Sequence, residues 1–339
     1  MKPSVLLTAT FGVLATAVGI VQRQASSYEG YAFLYFEPSI EQLFLASSNG
    51  NDALSFKPLN SGRPILNSTL GDKGVRDPFI LRSVEGDKFY IIATDLCTAC
   101  GTDWGTAVRK GSRSVMVWES SDLVTFSAQR SVLVSPESYG NTWAPEAYWD
   151  DSLGAYVMYW ASAIYDQATD PDHTAGQYQR VVYATTQDFI TFTAPQVWQD
   201  EAPNGRIDST VIKEGDVYYR FTKATINGCA DIVQERSTVL TAPLGDWTRI
   251  ASCIGRGAGT AEVEGPCIFK TNPGDIRGER FILLADEFGG KGYVPLETTN
   301  IAGGEWTLQT NYNFPITPRH GTVIPITAAE LAAIDAAWA

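Results

Sequence analysis

Histidine is almost absent from this chain of 339 residues, which has only His173 and His320. A zinc site built on several histidines is thereby excluded, and a Ser-His-Asp triad would have just two candidate bases. Cations are scarce as well. Lys and Arg total 25 against 38 Asp and Glu, a formal net charge of −13. Such a surface repels a phosphate backbone, so nucleic acid is not an expected partner. Cysteine is sparse, five in all, too few for a miniprotein held together by disulfides. What is abundant is apolar material, 44% of residues against 19% charged, enough for a large core and inconsistent with disorder. On this inventory any catalysis runs on carboxylates.

Long apolar runs are missing after the first few residues. Lys2 followed by the apolar stretch Val5 to Val18, with Ala15-Thr16-Ala17 as a small-residue cleavage site, reads as an export signal over residues 1–17. The stretch is shorter than the roughly 20 residues a spanning helix needs. A secreted, extracellular mature chain of residues 18–339 is therefore expected, monomeric and not membrane-bound after cleavage. In an oxidising compartment the cysteines can pair. Cys229 with Cys253 is the favoured bridge, and Cys97-Thr98-Ala99-Cys100 closes a local loop, because no thioredoxin-like βαβ pattern surrounds it. Cys267 lies in a strand-like run and reads as a small buried hydrophobe. Asn67-Ser68-Thr69 is an N-glycosylation acceptor sequence, relevant only in a eukaryotic secretory pathway.

The rest of the chain has no long stretch of apolar residues at helical spacing; short β-branched and aromatic runs separated by Gly, Asp and Asn turns recur instead. One pattern repeats: a polar residue, a short apolar strand, a turn, and a second strand rich in Tyr or Phe. It begins at Asp77, Glu146, Asp208, Glu264 and, in truncated form, His320, at intervals of 69, 62, 56 and 56 residues by subtraction of those positions. Each interval suits a small antiparallel sheet. Five such sheets predict an all-β, single-domain, five-bladed β-propeller, whose inner strands converge on a central channel. Two β-sandwich domains are the alternative, but no linker separates the halves. In a propeller the leading polar residues meet at one mouth of the channel, so the repeat itself predicts a site.

Three of those residues, Asp77, Asp208 and Glu264, are acids in register. One alone would read as a turn or cap. Together they fit hydrolysis of a glycosidic bond, in which one carboxylic acid protonates the leaving oxygen, a carboxylate acts from the opposite face, and a third acid raises the donor's pKa. Around them, Trp143 in Asn141-Thr142-Trp143 can stack on a sugar ring, and Glu146, Arg319 and His320 are candidate substrate contacts. His320 is also the candidate ligand for a cation, whereas His173, in Asp170-Pro171-Asp172-His173, reads as part of a surface loop.

Arg76-Asp77-Pro78-Phe79-Ile80, Trp143-Ala144-Pro145-Glu146, Ile207-Asp208-Ser209-Thr210-Val211-Ile212, Glu264-Gly265-Pro266 and Arg319-His320-Gly321, in that order, resemble glycoside hydrolase family 43, a family of five-bladed propellers. The resemblance covers nearly everything after the signal. It implies that Asp77 is the general base activating water, Glu264 the general acid, and Asp208 the acid that raises and orients Glu264. It also implies inversion, with the carboxyls of Asp77 and Glu264 about 6.5–9.5 Å apart. No cofactor is required, though the resemblance allows a calcium ion in the channel beside His320. Glu146 departs from the pattern, standing where many relatives carry a small or apolar residue. Arg76-Asp77-Pro78 is also similar to the retaining fructan-cleaving families 32 and 68. Their Asn-Asp-Pro nucleophile motif is missing, since Asn51-Asp52 is followed by Ala53, and inversion is expected. The runs Leu59 to Leu66, Gly74 to Ile80 and Gly86 to Leu96 resemble an arabinofuranosidase branch. This implies exo-acting release of terminal α-L-arabinofuranose from plant cell-wall polysaccharides. Neighbouring branches cleave β-xylosides or exo-β-1,3-galactan. A non-catalytic carbohydrate-binding propeller is the alternative of a different class, and it would have no use for three acids.

Overall fold

The structure, a computed structural model, describes residues 27–315 and 317–339; the export signal expected at residues 1–17 lies outside them. Each repeat folds as an antiparallel four-stranded sheet. The first complete one is β4 (Val75–Arg82), β5 (Phe89–Asp95), β6 (Ser114–Ser120) and β7 (Arg130–Leu133), with β1 (Tyr28–Phe36), β2 (Leu43–Ser48) and β3 (Phe56–Pro58) preceding it. The second is β8 (Trp143–Asp150), β9 (Ala155–Ala163), β10 (Gln179–Thr186) and β11 (Gln196–Gln199). The third is β12 (Arg206–Glu214), β13 (Val217–Ile226), β14 (Cys229–Ser237) and β15 (Thr248–Ala251). The fourth is β16 (Glu264–Lys270), β17 (Phe281–Glu287), β18 (Gly292–Thr298) and β19 (Thr307–Leu308). The truncated fifth copy is completed from the other end of the chain: β20 (Arg319–Thr327) pairs with β1, giving the order β20-β1-β2-β3. The ring is thus closed by hydrogen bonds between the two ends of the fold, and the inner strands β4, β8, β12, β16 and β20 face the channel.

Alternation along the strands explains the packing. Each sheet buries side chains against the next one, and five apolar clusters fill the five gaps between neighbouring blades. One holds Leu34, Leu45, Ile91 and Trp118, the next Ile92, Val117, Met158 and Val182. The third holds Tyr159, Trp198, Val211 and Trp247, the fourth Phe221, Ile232, Leu283 and Val294, and the last packs the fourth sheet on the fifth through Ile282, Leu284, Phe33 and Phe56. Most of the chain's aromatics are spent here. Tight hairpins set the register: Glu214 pairs with Val217, leaving Gly215-Asp216 as a two-residue turn whose left-handed first residue, φ 60°, is glycine.

Helices are few: α1 (Trp104–Lys110), α2 (Ile254–Ala258) and α3 (Ala328–Ala337). The last was not anticipated from the sequence, because its Ala-rich run has no strong apolar face. It is set by a capping box, in which the Thr327 hydroxyl accepts from the Glu330 backbone N–H and Glu330 accepts from the Thr327 N–H. Glu330 also pairs with Arg82, which ties α3 to the neighbouring blade. Both expected disulfides are formed, Cys97–Cys100 and Cys229–Cys253, and Cys267 is free and buried. Among the described residues no helix is long and apolar enough to cross a membrane.

Candidate active site

Every inner strand opens with a break in its ladder. Arg76 pairs with Thr94 and Phe79 with Ile92, so Asp77 and Pro78 together face the single residue Ala93. The same shift encloses Ala144-Pro145 in β8, Gly265-Pro266 in β16 and His320-Gly321 in β20, and squeezes out Asp208 in β12. Four of these residues have left-handed backbones: Asp77 at φ 48°, Ala144 at 48°, Asp208 at 54° and Gly265 at 51°. A bulge of this kind re-aims a side chain, and a non-glycine residue held at positive φ is a strain that concentrates at functional sites.

This register corrects the alignment expected from the sequence. Asp77, Asp208 and His320 are equivalent, as expected, but the other two members of their layer are Ala144 and Gly265. Glu264 belongs one residue earlier, with Arg76, Trp143, Ile207 and Arg319 at the outer rim. Glu146 belongs deeper, level with Phe79, Thr210, Cys267 and Thr322. Aligning on the acids gave the wrong frame; aligning on the prolines Pro78, Pro145 and Pro266 gives the right one.

The middle layer is a bridged pair of carboxylates. His320 Nδ1 lies 3.4 Å from Asp77 Oδ1 and 4.0 Å from Asp208 Oδ2. Thr94 donates its hydroxyl to Asp77 Oδ2 at 2.9 Å while accepting the Ala144 N–H at 2.8 Å, and the Gly265 N–H donates to Asp208 Oδ2 at 3.1 Å. Glycine is required at that point: a methyl group on Gly265 would sit 2.7 Å from His320 Cγ. Burial would lift the Asp77 carboxyl, but the hydrogen bond and charge of His320, then Arg76 and Thr94, hold it below the ordinary range. Asp208 is pushed up, by burial first and by the charges of Asp77 and Asp286, with His320 opposing. Burial works against protonated His320, yet the charge of Asp208 and the hydrogen bond and charge of Asp77 raise it to about 9. Nδ1 is turned toward the two carboxylates, and no step below runs through a cation.

At the rim, Glu264 is raised to about 7 by burial and then by Asp208 and Asp286, against Arg319 and His320. Arg319 reaches Glu264 Oε1 with Nη2 at 3.3 Å and holds Asp286 Oδ1 with Nε at 2.7 Å. Asp286 also accepts the His320 N–H at 3.2 Å and is fully buried. Its role was missed in the sequence, although it ends the apolar run Phe281 to Ala285 and pairs directly with Glu264 across the ladder. In the deeper layer, Glu146 accepts from Tyr159 at 3.3 Å, and burial pushes it to about 8, which keeps it neutral.

Arg76 is set by a second feature the sequence did not show. Glu41, fully buried, accepts from Arg76 Nη1 at 2.9 Å, from the Thr98 hydroxyl at 2.6 Å and from the Ala99 N–H at 2.8 Å. Thr98 and Ala99 lie inside the Cys97–Cys100 loop, so the disulfide shapes the clamp on Arg76. The guanidinium sits 4.8 Å from the Phe36 ring and 5.0 Å from that of Trp104, and Trp104 meets Trp143 edge to face at 5.9 Å. His173, expected on a surface loop, is instead buried, stacked on Tyr165 at 4.1 Å and hydrogen-bonded through Nδ1 to the Arg109 carbonyl at 2.6 Å. It pins the 165–175 loop to α1.

A carboxyl raised to about 7, another held below the ordinary range, and a histidine raised to about 9 between acids can donate and accept a proton near neutral pH. Residues 26–332 match the profile of a family described as a probable glycosyl hydrolase domain, related to family 43. Over 327 residues the chain is 37% identical to an alpha-L-arabinofuranosidase of Bifidobacterium longum subsp. longum, a match covering 86% of this chain. The chain spans 29% of the length of that relative. Among solved structures it is similar to the Penicillium chrysogenum alpha-L-arabinanase complexed with arabinobiose, with 12% identity and a TM-score of 0.52 over 84% of this chain and 85% of that one. It is also similar to a putative exo-beta-1,3-galactanase from Bifidobacterium bifidum S17, with 14% identity and a TM-score of 0.52 over 85% and 90%. At such identities the likeness is one of fold.

Proposed function

The chain belongs to the family of probable glycosyl hydrolase domains related to family 43, and on that premise we propose that it is a secreted, inverting exo-glycosidase releasing terminal α-L-arabinofuranose from plant cell-wall polysaccharides. The observation that carries the chemistry is the opposite displacement of two carboxyls at one channel mouth: Asp77 is held below the ordinary range and Glu264 is raised to about 7. At mildly acidic pH the first is a base and the second an acid, the division of labour that glycoside hydrolysis needs.

Asp77 takes a proton from the attacking water, its charge supported by His320 and Thr94. Glu264 gives its proton to the leaving oxygen, and Arg319 beside it stabilises the carboxylate that results. Asp208 raises Glu264 by its charge and is oriented by the Gly265 N–H, on the residue next to that acid. Asp286 keeps Arg319 and the His320 backbone in place. Trp143, at the rim, offers a ring for the sugar's apolar face. The identity of the sugar rests on the arabinofuranosidase relative.

The test is sugar release from 4-nitrophenyl α-L-arabinofuranoside, β-D-xylopyranoside and β-D-galactopyranoside and from arabinan, arabinoxylan and β-1,3-galactan, with the first-formed anomer read by NMR. Arabinose alone, released with inversion, is the expected result. Xylose or galactose would overturn the sugar, and retention would overturn the role of Asp77 as base.

A further inference from the structure

The molecule's net charge is −13, yet three cations gather at the end of α1 beside the channel mouth. Arg109 and Lys110 are exposed at the end of α1, and Arg113 is half-buried three residues on. Most arginines of the chain are neutralised by a carboxylate, among them Arg82, Arg206, Arg280 and Arg319. Among the described residues these three cations form no salt bridge, although Arg113 donates to the Ser135 carbonyl at 3.4 Å and, after the Thr106 hydrogen bonds, the charge of Arg109 helps hold Asp103 below its ordinary range. Asp103, at the other end of α1, is committed to its cap through the Thr106 N–H at 3.0 Å and hydroxyl at 2.6 Å. The cations border a hollow of about 380 Å³ shared with Glu137, Tyr139 and His173. Glu137 is the one acid of its lining, and Asp166, Asp170 and Asp172 lie on the loop that carries His173.

The hollow is joined to the rim of the site by a single short helix. α1 starts at Trp104, which is 53% exposed, touches Trp143 edge to face and carries Arg76 over its ring. Six residues later, about 9 Å along the axis at the α-helical rise, it ends at Lys110. The Gly111 N–H then bonds the Gly140 carbonyl, three residues before Trp143, so both ends of α1 are fixed against the strand that supplies the rim. His173 holds it from the outside through the Arg109 carbonyl. An exposed indole followed by cations in no salt bridge, on a rigid element, is a surface for an extended ligand that is apolar on its ring faces and anionic at intervals. Uronic acids in a polysaccharide have both properties.

We propose that α1 and the hollow behind it dock the polymer that carries the cleaved sugar, and that this polymer bears uronic-acid carboxylates. The proposal rests on the glycosidase function above, with the remainder of the substrate leaving the pocket across Trp104 toward Arg109 and Lys110. Overall repulsion between two anions is cut off beyond about 8 Å at physiological salt, so the local cations decide the contact.

The test is binding rather than turnover, using Glu264→Gln protein. Its ligands are an arabinose-substituted, glucuronate-containing gum and the same gum after carbodiimide–borohydride reduction of its carboxyls. The native gum should bind about 5-fold more tightly, as expected for two exposed ion pairs. High salt and the double change Arg109→Gln with Lys110→Gln should remove that advantage, whereas Trp104→Ala should weaken both ligands alike. Equal affinity for the two gums, or an advantage untouched by the double change, would overturn the proposal. Carboxylate-dependent binding by a protein whose wild type releases no arabinose would support the docking surface while refuting the choice of sugar.

Discussion

The two ends of the central channel are built from the same five strands and have opposite character. At the end where the strands begin, each ladder is broken, and Asp77, Asp208, Glu264, His320 and Arg319 crowd together. Four residues further along from the bulge, the equivalent positions are Leu81, Tyr148, Ile212, Phe269 and Ile324, in regular pairing. They line a cavity of about 550 Å³ that none of the three acids reaches. The repeat therefore supplies the scaffold, and the chemistry sits where the repeat is interrupted. Of the two ends, the first concentrates buried charge and strained backbone, held by mutual charge compensation, and the other is ordinary apolar packing.

This contrast can be broken most severely at Gly265. Replacing it with Ala puts a methyl group 2.7 Å from His320 Cγ at a left-handed backbone position, so the His320 bridge must shift. A displacement of that size costs roughly 100-fold in kcat/KM, and overpacking adds about 1–3 kcal/mol of lost stability; steady-state kinetics and denaturant unfolding read the two effects separately. A smaller effect comes from Asp208→Asn. Its charge helps raise Glu264 to about 7, so removing it lets the acid ionise earlier. The descending limb of the kcat/KM profile, an apparent pKa of the coupled site, should move to lower pH by about one unit; a profile that stays in place would remove Asp208 from the tuning of the acid. At the apolar end, Phe269→Ala should cost about 3–5 kcal/mol of stability. Its kcat/KM should stay close to wild type, since no reacting group touches it. Loss of activity in the folded variant would show that the two ends are coupled.

The sign of the pH dependence of stability is equally specific. The pKa of His320 is raised from 6.5 to about 9 on folding, so its stabilisation is complete below pH 6.5 and fades as pH rises through 9. Thermal unfolding should show the midpoint falling across that window, and His320→Gln should flatten the fall.

The sheets were legible in the sequence because alternation, turn glycines and spacing all repeat. Asp77, Asp208 and His320 were legible because each opens an inner strand. The frame of Glu146 and Glu264 was not, since similarity of charge outweighed the prolines that mark the bulges. Asp286 and Glu41 were hidden for another reason. Each acts on a partner more than 30 residues away, Arg319 and Arg76, and only the packing of neighbouring blades brings them together. Residues of α3 carry little patterning, so the Thr327–Glu330 cap was the one signal for that helix.

The division of roles between Asp77 and Glu264 is tested most directly by a leaving-group series on Glu264→Gln. Turnover of arabinosides with poor leaving groups should fall by roughly 10²–10⁴-fold, the range of general acid catalysis. Turnover of the 4-nitrophenyl arabinoside, which needs little protonation, should fall far less. Equal losses across the series would contradict the assignment of Glu264 as the acid.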